Sequence, residues 1–530
     1  MKKSLILGLL IFVTSGILAN THIDTSEDNW TYGNMHQWRA HSAFSNIDAM
    51  AVTRDKVFAL SNHSLFAVDK QSEELSYYSR LTGLNGAVIS TIGYNEALNL
   101  LLVCYDNGQL DVINAKEEIE NVPDLYLKQT NSSKVVNDIC MHGHTAYLAM
   151  DFGILVLDMK KREIKDTYII GQDAFEVSVK YITTMGDSIY AVSPQLLYAA
   201  SLSDPLSDYA YWHSYSLPKG KQVTGLCAYD QQLYIVRDNI LWSRNATQWQ
   251  KQITTYPIKK LCKTEQQLFL LPKDNKGAAM VGTDLSLQWQ EMGEISDIAE
   301  DGQSLWFAST ELGLVRGSDR QSFYPDGPIN NTAYRMRFFG DRLYVVPGGR
   351  WATQNETPGE IMFYENGTWV NVSNEKINEA CDATILDLMN VAQDPNDKDH
   401  YFVTSYGSGM LEMYGEDVIK LYTPSNSALV SAAPNAPNRY TRTDGAMFDD
   451  KGYLWVLNTE VENNILIMDA QGNKLATYSL YSNSVRVPLY TPGEIIVDRR
   501  NPQWKWIPLC RYNTGLVLLQ DNGTPLNSKD

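Results

Sequence analysis

ISDIAEDGQSLWFASTELGLVRG, residues 295–317, is the stretch on which the reading of the whole chain turns. Ile295 and Ile298 open a short strand. Asp301-Gly302 makes a hairpin turn, because an Asp-Gly pair tolerates the positive φ angles that tight turns need. Leu305-Trp306-Phe307-Ala308 is a second strand, apolar and aromatic. Gly313 turns the chain again, and Leu314-Val315 begins a third strand. The stretch is one β-meander, and Trp306 is a packing residue within it.

The same pattern recurs upstream. Each unit has an apolar lead residue, a second apolar residue three later, a turn and an apolar-aromatic strand. The leads are Ile47, Ile89, Val136, Val179, Val223, Ile258 and Ile295, with steps of 42, 47, 43, 44, 35 and 37 residues. The aromatic slot holds Phe58, Tyr147, Tyr190, Tyr234, Phe269 and Trp306, and the second unit is irregular there. A period near 40 residues with three or four strands per unit is the signature of a β-propeller. One such unit cannot bury both its faces, so units stack in a ring. A β-solenoid needs a stricter repeat length than these steps show.

Trp212, Trp249 and Trp289 each precede the next lead residue, and Trp38 precedes Ile47 in the same way. The strand around residues 37–40 is therefore expected to complete the seventh blade. A second series follows Pro328, with aromatic slots at Tyr344, Tyr401, Trp455 and Trp506 and an outer-strand Trp369. The fold expected is all-β, with tandem β-propellers. The first is seven-bladed over residues 34–327, and the second spans 328–530 with about four blades. Residues 425–442, rich in Pro, Asn and Ser, are expected to be an exposed loop.

Residues 1–19 read as a secretion signal: Lys2-Lys3 is the basic start, 5–13 the apolar run and Ala19 a cleavage edge. Residues 20–33 form a loose polar leader. The apolar run is too short to span a membrane, and no later segment reaches 18 apolar residues. The formal charge is -18, and loss of Lys2 and Lys3 makes it -20. That balance argues against a nucleic-acid or anionic-membrane surface as the main function.

No GxSxG, HExxH or P-loop occurs, so no catalytic residue, cofactor or metal site is assigned and no enzyme activity is expected. Cys140, Cys227 and Cys262 each lie four residues after a lead. They read as small buried side chains too far apart to bridge. His142 and His144 flank a hairpin glycine and lack metal-ligand partners of known spacing. The carboxylates of 394–400 and of Asp449-Asp450 read as turns rather than calcium loops. Asp450-Lys-Gly452-Tyr-Leu-Trp455 resembles part of a sialidase Asp-box, itself a structural turn, with Phe448 in the Ser position. Arg335, Arg337, Arg342 and Arg350 form one basic group and Arg499, Arg500 and Arg511 another. Both could receive a phosphate or sugar acid, or pair with neighbouring carboxylates.

Four runs carry a resemblance: QDPNDKDHYFVTSYGSGMLEMYGEDVIKLYTPSNSAL (393–429), DDKGYLWVLN (449–458), RYNTGLVLLQDNGTPLNSKD (511–530) and SLSDPLSDYAYWHSYSL (201–217). Together they resemble the PorZ family, surface components of the type IX secretion system of Bacteroidetes. The resemblance covers essentially the whole chain after the signal. It implies two seven-bladed propellers and a C-terminal β-sandwich. It also implies partners: outer-membrane secretion proteins, a sortase-like protease and anionic lipopolysaccharide. On that pattern the second ring is about three blades short. The resemblance implies a non-catalytic scaffold at the outer membrane, in the periplasm or on the cell surface. Sensor propellers of hybrid two-component regulators carry similar repeats and give an alternative reading, a periplasmic ligand sensor. A propeller enzyme acting on polysaccharides is a third.

Overall fold

The computed structural model describes residues 39–244, 248–253, 257–273, 277–282, 286–290, 293–351, 353–482, 485–487, 489, 491–510 and 514–527. The expected signal, the leader and the Gln37–Trp38 part of the closing strand lie outside the described residues.

Chain order and sheet order coincide almost throughout. Seven four-stranded antiparallel sheets follow one another over 47–78, 89–122, 138–168, 181–216, 223–253, 258–290 and 295–323. Each is a meander whose first strand starts at its lead residue or, after Val136 and Val179, two residues later. Those first strands neighbour one another in succession, and Ile295–Glu300 lies beside Ile47–Val52. The Met50 N–H donates to Asp297 Oδ2 (3.2 Å), and the Gly313 N–H donates to the Ser45 carbonyl (2.8 Å). The seventh sheet takes its four strands from one continuous stretch, the last being Ser322–Phe323.

The register explains the repeat. The fourth residue after each lead stands directly opposite the aromatic slot: Ala51 opposite Phe58, Cys140 opposite Tyr147, Thr183 opposite Tyr190, Cys227 opposite Tyr234, Cys262 opposite Phe269, Ala299 opposite Trp306. Facing Cβ atoms on adjacent strands are about 5 Å apart, so a large ring on one strand leaves room only for a small partner. In the irregular second sheet the pair is Gly93 and Leu102. Apolar clusters fill the space between consecutive sheets. Phe58, Leu65 and Tyr78 of the first sheet pack with Ile89, Leu101 and Tyr105 of the second, and Phe269 of the sixth packs with Ile298 and Phe307 of the seventh.

The chain divides into two compact units, one holding Ser45–Pro325, the other His41–Phe44 and Asp326–Asp530. His41–Phe44, which the sequence reading assigns to the first ring, cluster with the second unit instead. The Ala43 N–H donates to Asn331 Oδ1 (2.7 Å), and the His41 ring stands edge-on to Tyr364 and Trp369.

In the second unit a four-stranded sheet covers 335–372, and a helix, Asn374–Cys381, follows with its N-cap Ser373 accepting from the Lys376 N–H. The meanders of 388–422 and 441–478 join through Tyr406 opposite Arg442. A three-stranded sheet covers 496–520. The expected loop 425–442 is only partly a loop. Pro437–Tyr440 is one helical turn and Thr441–Phe448 is a strand. Leu429 is buried among Phe402, Met410 and Leu466, because an apolar side chain amid polar neighbours still finds the core.

Candidate functional site

Most of the chemically suggestive residues serve the fold. Asp301, Asp449 and Asp498 each follow an inner strand and hold the turn to the next. One oxygen accepts turn N–H groups, and the other accepts a Trp indole N–H: Trp306 (2.8 Å), Trp455 (2.9 Å) and Trp506 (3.1 Å). In the third sheet of the second unit the residue doing this is Asp449, not the Asp450 of the apparent Asp-box. Asp394 faces Asp397 across a two-residue turn, and His400 lies between the carboxylates of Asp394 (3.2 Å) and Glu412 (3.1 Å). Among the described residues no group of three or more His, Cys, Asp or Glu side chains is arranged to hold a metal ion. His142 ends a strand and His144 lies in the turn that follows, both exposed.

All six cysteines are free. Burial pushes the Cys227 thiol up to about 12 and raises those of Cys104 and Cys262 as well, so these sulfurs are inert.

The first arginine group is internally paired. Arg350, 1% exposed at its side chain, pairs with the fully buried Asp444, and Arg337 pairs with Glu494. Arg335 donates to the Gly493 carbonyl (2.5 Å). Arg342 reaches Glu365 and Asp399, each at 2.8 Å. Burial outweighs Glu494 in pulling the Arg337 pKa down. Arg499 and Arg500 are exposed around the Asp498 turn, and Arg511 lies outside the described residues.

A different polar set lines the inner strands of the first unit. Two residues after their leads stand Asp138, Tyr181, Lys260 and Asp297. Asp138 accepts from the N–H of Ile139 and of Ile182 on the next sheet, both at 2.9 Å. Asp297 makes the equivalent pair of bonds with Ile298 and Met50. Lys260 links to Asp297 (3.1 Å) and donates to the Ser296 carbonyl (3.1 Å). Burial raises the Asp138 carboxyl to about 6, against the backbone donors and Lys260. Burial opposes the charge of Lys260, but Asp297 and its neighbours hold its pKa above the lysine range.

Where these strands begin, a cavity of about 400 Å³ opens between the third, fourth and fifth sheets. Asn137, Lys180, Tyr181, Pro194, Lys221 and Gln222 line it, with Val223 at its edge. Asp151 accepts from Lys180 (2.6 Å), Ser178 (2.6 Å) and Asn137 (3.1 Å). Sequence reasoning passed over this cavity, because its residues come from four separate segments of the chain and form no local motif.

Residues 57–213 match the family model described as the type IX secretion system PorZ N-terminal β-propeller domain. The likeness is to PorZ. In fold it extends further. A solved PorZ structure from Porphyromonas gingivalis, described as an essential bacterial surface component of the type-IX secretion system, superposes with a TM-score of 0.81 at 24% identity, over 93% of this chain and 67% of that one. The extracellular domain of a candidate one component system from B. thetaiotaomicron scores 0.41 at 16% identity, over 92% of this chain and 66% of its own. That of a candidate hybrid two component system from the same organism scores 0.42 at 12%, over 91% and 71%. A search of the curated proteins returned no match.

Proposed function

We propose that this chain is a non-catalytic binding and scaffold component of a type IX secretion attachment complex at the outer membrane. Its two units are read as propellers. The first is a closed ring of seven blades, and the second is represented here by about four. The observation that carries the proposal is the PorZ family match over 57–213, set in a series of seven four-stranded sheets. The internally paired arginines and the inert thiols support a scaffold reading. On this reading the chain is exported through the signal at 1–19, and its partners are the outer-membrane secretion proteins and a sortase-like protease. Its task is to help process cargo and join it to anionic lipopolysaccharide.

Deletion of the gene in the source bacterium tests this. Cargo proteins should then accumulate in the periplasm with their C-terminal signals uncleaved, and the wild-type gene should restore surface display. Normal cargo processing in the deletion strain would overturn the proposal. Affinity capture of a tagged chain from detergent-solubilised outer membranes should retain type IX components and lose them in the deletion control.

A further inference from the structure

We propose that the outer rim where the fourth and fifth sheets of the first unit meet docks an extended acidic segment of a partner protein. Residues 213–263 carry eight Lys and Arg and two Asp, with no Glu, a formal +6 inside a chain of -18. The run begins with His213–Ser216, the outermost strand of the fourth sheet, and takes in the whole fifth sheet. Part of this charge is already met. Lys259 and Lys260 pair with Glu294 (3.4 Å) and Asp297 (3.1 Å), and Lys221 has Asp238 as its electrostatic neighbour. Lys219, Arg244 and Lys251 form no ion pair among the described residues, and both lysines are exposed. Their charge is left for an anion from outside the chain.

Arg244 brings the two sheets together at this rim. Its guanidinium lies over the Tyr215 ring of the fourth sheet, 4.5 Å from the ring centre, and 5.6 Å from that of Trp249 in the fifth. The Trp249 indole N–H donates to the Ser216 carbonyl (3.1 Å), which ties the two outermost strands to each other. Arg244 stands opposite Trp249 in register, and Lys251 follows Trp249 on the same face of its strand. A guanidinium held against aromatic rings keeps N–H donors for a carboxylate, in a charge-assisted bond. Tyr, Trp and Arg carry much of the energy at protein interfaces, and lysines around them steer an acidic partner. All four residues of His213–Ser216 are exposed, and the strand is last in its sheet, so no strand pairs with its outer edge. An extended peptide can add there through its main chain, which a glycan cannot do. This inference goes beyond the secretion proposal and does not depend on it.

The test uses the full chain and two fluorescein-labelled decapeptides, one of alternating Glu and Val, the other of alternating Lys and Val. Fluorescence anisotropy at about 50 mM salt should give the acidic peptide a Kd on the order of 100 μM, and the basic peptide should bind at least about tenfold more weakly. Raising the salt to about 500 mM should weaken the acidic peptide about tenfold, because screening shortens the reach of exposed charges. Arg244→Glu should weaken it at least about tenfold, and so should Lys219→Glu combined with Lys251→Glu, the lysine pair with an unchanged unfolding temperature. Lys161→Glu, at an exposed turn of the third sheet, changes the net charge as much as Arg244→Glu and should leave the Kd within about twofold. No saturable binding below about 1 mM, an equal loss in Lys161→Glu, or undiminished binding by the lysine pair would each overturn the proposal. Binding of polygalacturonate with none of the acidic peptide would assign the rim to an acidic glycan and overturn it as well.

Discussion

Asp449 and Asp450 are adjacent, and only one of them holds the hairpin. Asp449 is buried, with one oxygen on two turn N–H groups and the other on the Trp455 indole. Asp450 is exposed. Asp449→Ala should therefore cost about 2–4 kcal/mol, because a buried indole N–H loses its acceptor and the turn loses its anchor. Asp450→Ala should stay within about 0.5 kcal/mol. Urea unfolding of the two variants, followed by Trp fluorescence, measures both. Asp138 makes a pH-dependent case. Its carboxyl is ordinary at 3.8 in the unfolded chain and lies near 6 in the fold, where burial disfavours the charge. The folded form thus binds the proton more tightly. Its contribution to stability is complete below about pH 3.8 and is lost as the pH rises through about 6. Between about pH 4.5 and about pH 8 the parent should lose about 2 kcal/mol relative to Asp138→Asn. Equal pH profiles for the two proteins would show that the carboxyl is not perturbed.

At the scale of elements, two of the sheets depend on close backbone approach at the start of the third strand. Gly153 has φ 141°, and a Cβ there would lie 2.2 Å from the Tyr168 carbonyl oxygen. Gly409 has φ 95°, and its Cβ would lie 2.1 Å from the Tyr422 carbonyl oxygen. In both the fourth strand runs too near for any side chain. Gly153→Ala should destabilise the first unit by about 2–4 kcal/mol, through the clash and the strained φ together. Thermal unfolding followed by circular dichroism would show it. The small-opposite-aromatic pairs behave similarly. Cys262 faces Phe269, so Cys262→Leu should overpack the strand pair by about 1–3 kcal/mol, whereas Cys262→Ala should cost less than about 1.5 kcal/mol.

At the scale of the molecule, the links between distant parts of the chain are polar as well as apolar. Asp297 joins the last sheet of the first unit to the first, accepting from Met50 while pairing with Lys260. In the second unit Arg350 and Asp444 form a buried pair 94 positions apart in sequence. Removing one partner leaves a buried charge alone, so Arg350→Met should cost about 3–5 kcal/mol in the second unit. Asp297→Ala should weaken the first unit by about 1–3 kcal/mol. Hydrogen-exchange mass spectrometry should find each loss of protection confined to the unit that carries the substitution. Spread of either loss across both units would show that they unfold together.

The periodic features were legible in the sequence because their causes are local. A lead residue, a turn-forming Asp or Gly and an aromatic strand specify a hairpin wherever they recur, and the run 295–317 was read strand by strand on that basis. The opposition of Cys140, Cys227 and Cys262 to aromatic rings gave those cysteines a packing role that spacing alone could only suggest. What needed the tertiary structure was every partner supplied from elsewhere. Sequence could not choose between ligand and carboxylate for Arg335, Arg337 and Arg350, because Asp444 and Glu494 lie about a hundred or more residues away. It could not tell Asp449 from Asp450, because the geometry of one turn decides which carboxylate meets the indole. It could not find the cavity lined by Asn137, Tyr181 and Pro194, because four separate segments meet there only once the sheets have stacked. The chain's local chemistry thus sets its repeating sheets, and the long-range pairing of buried charge and the shape of the spaces between sheets arise only when those sheets pack.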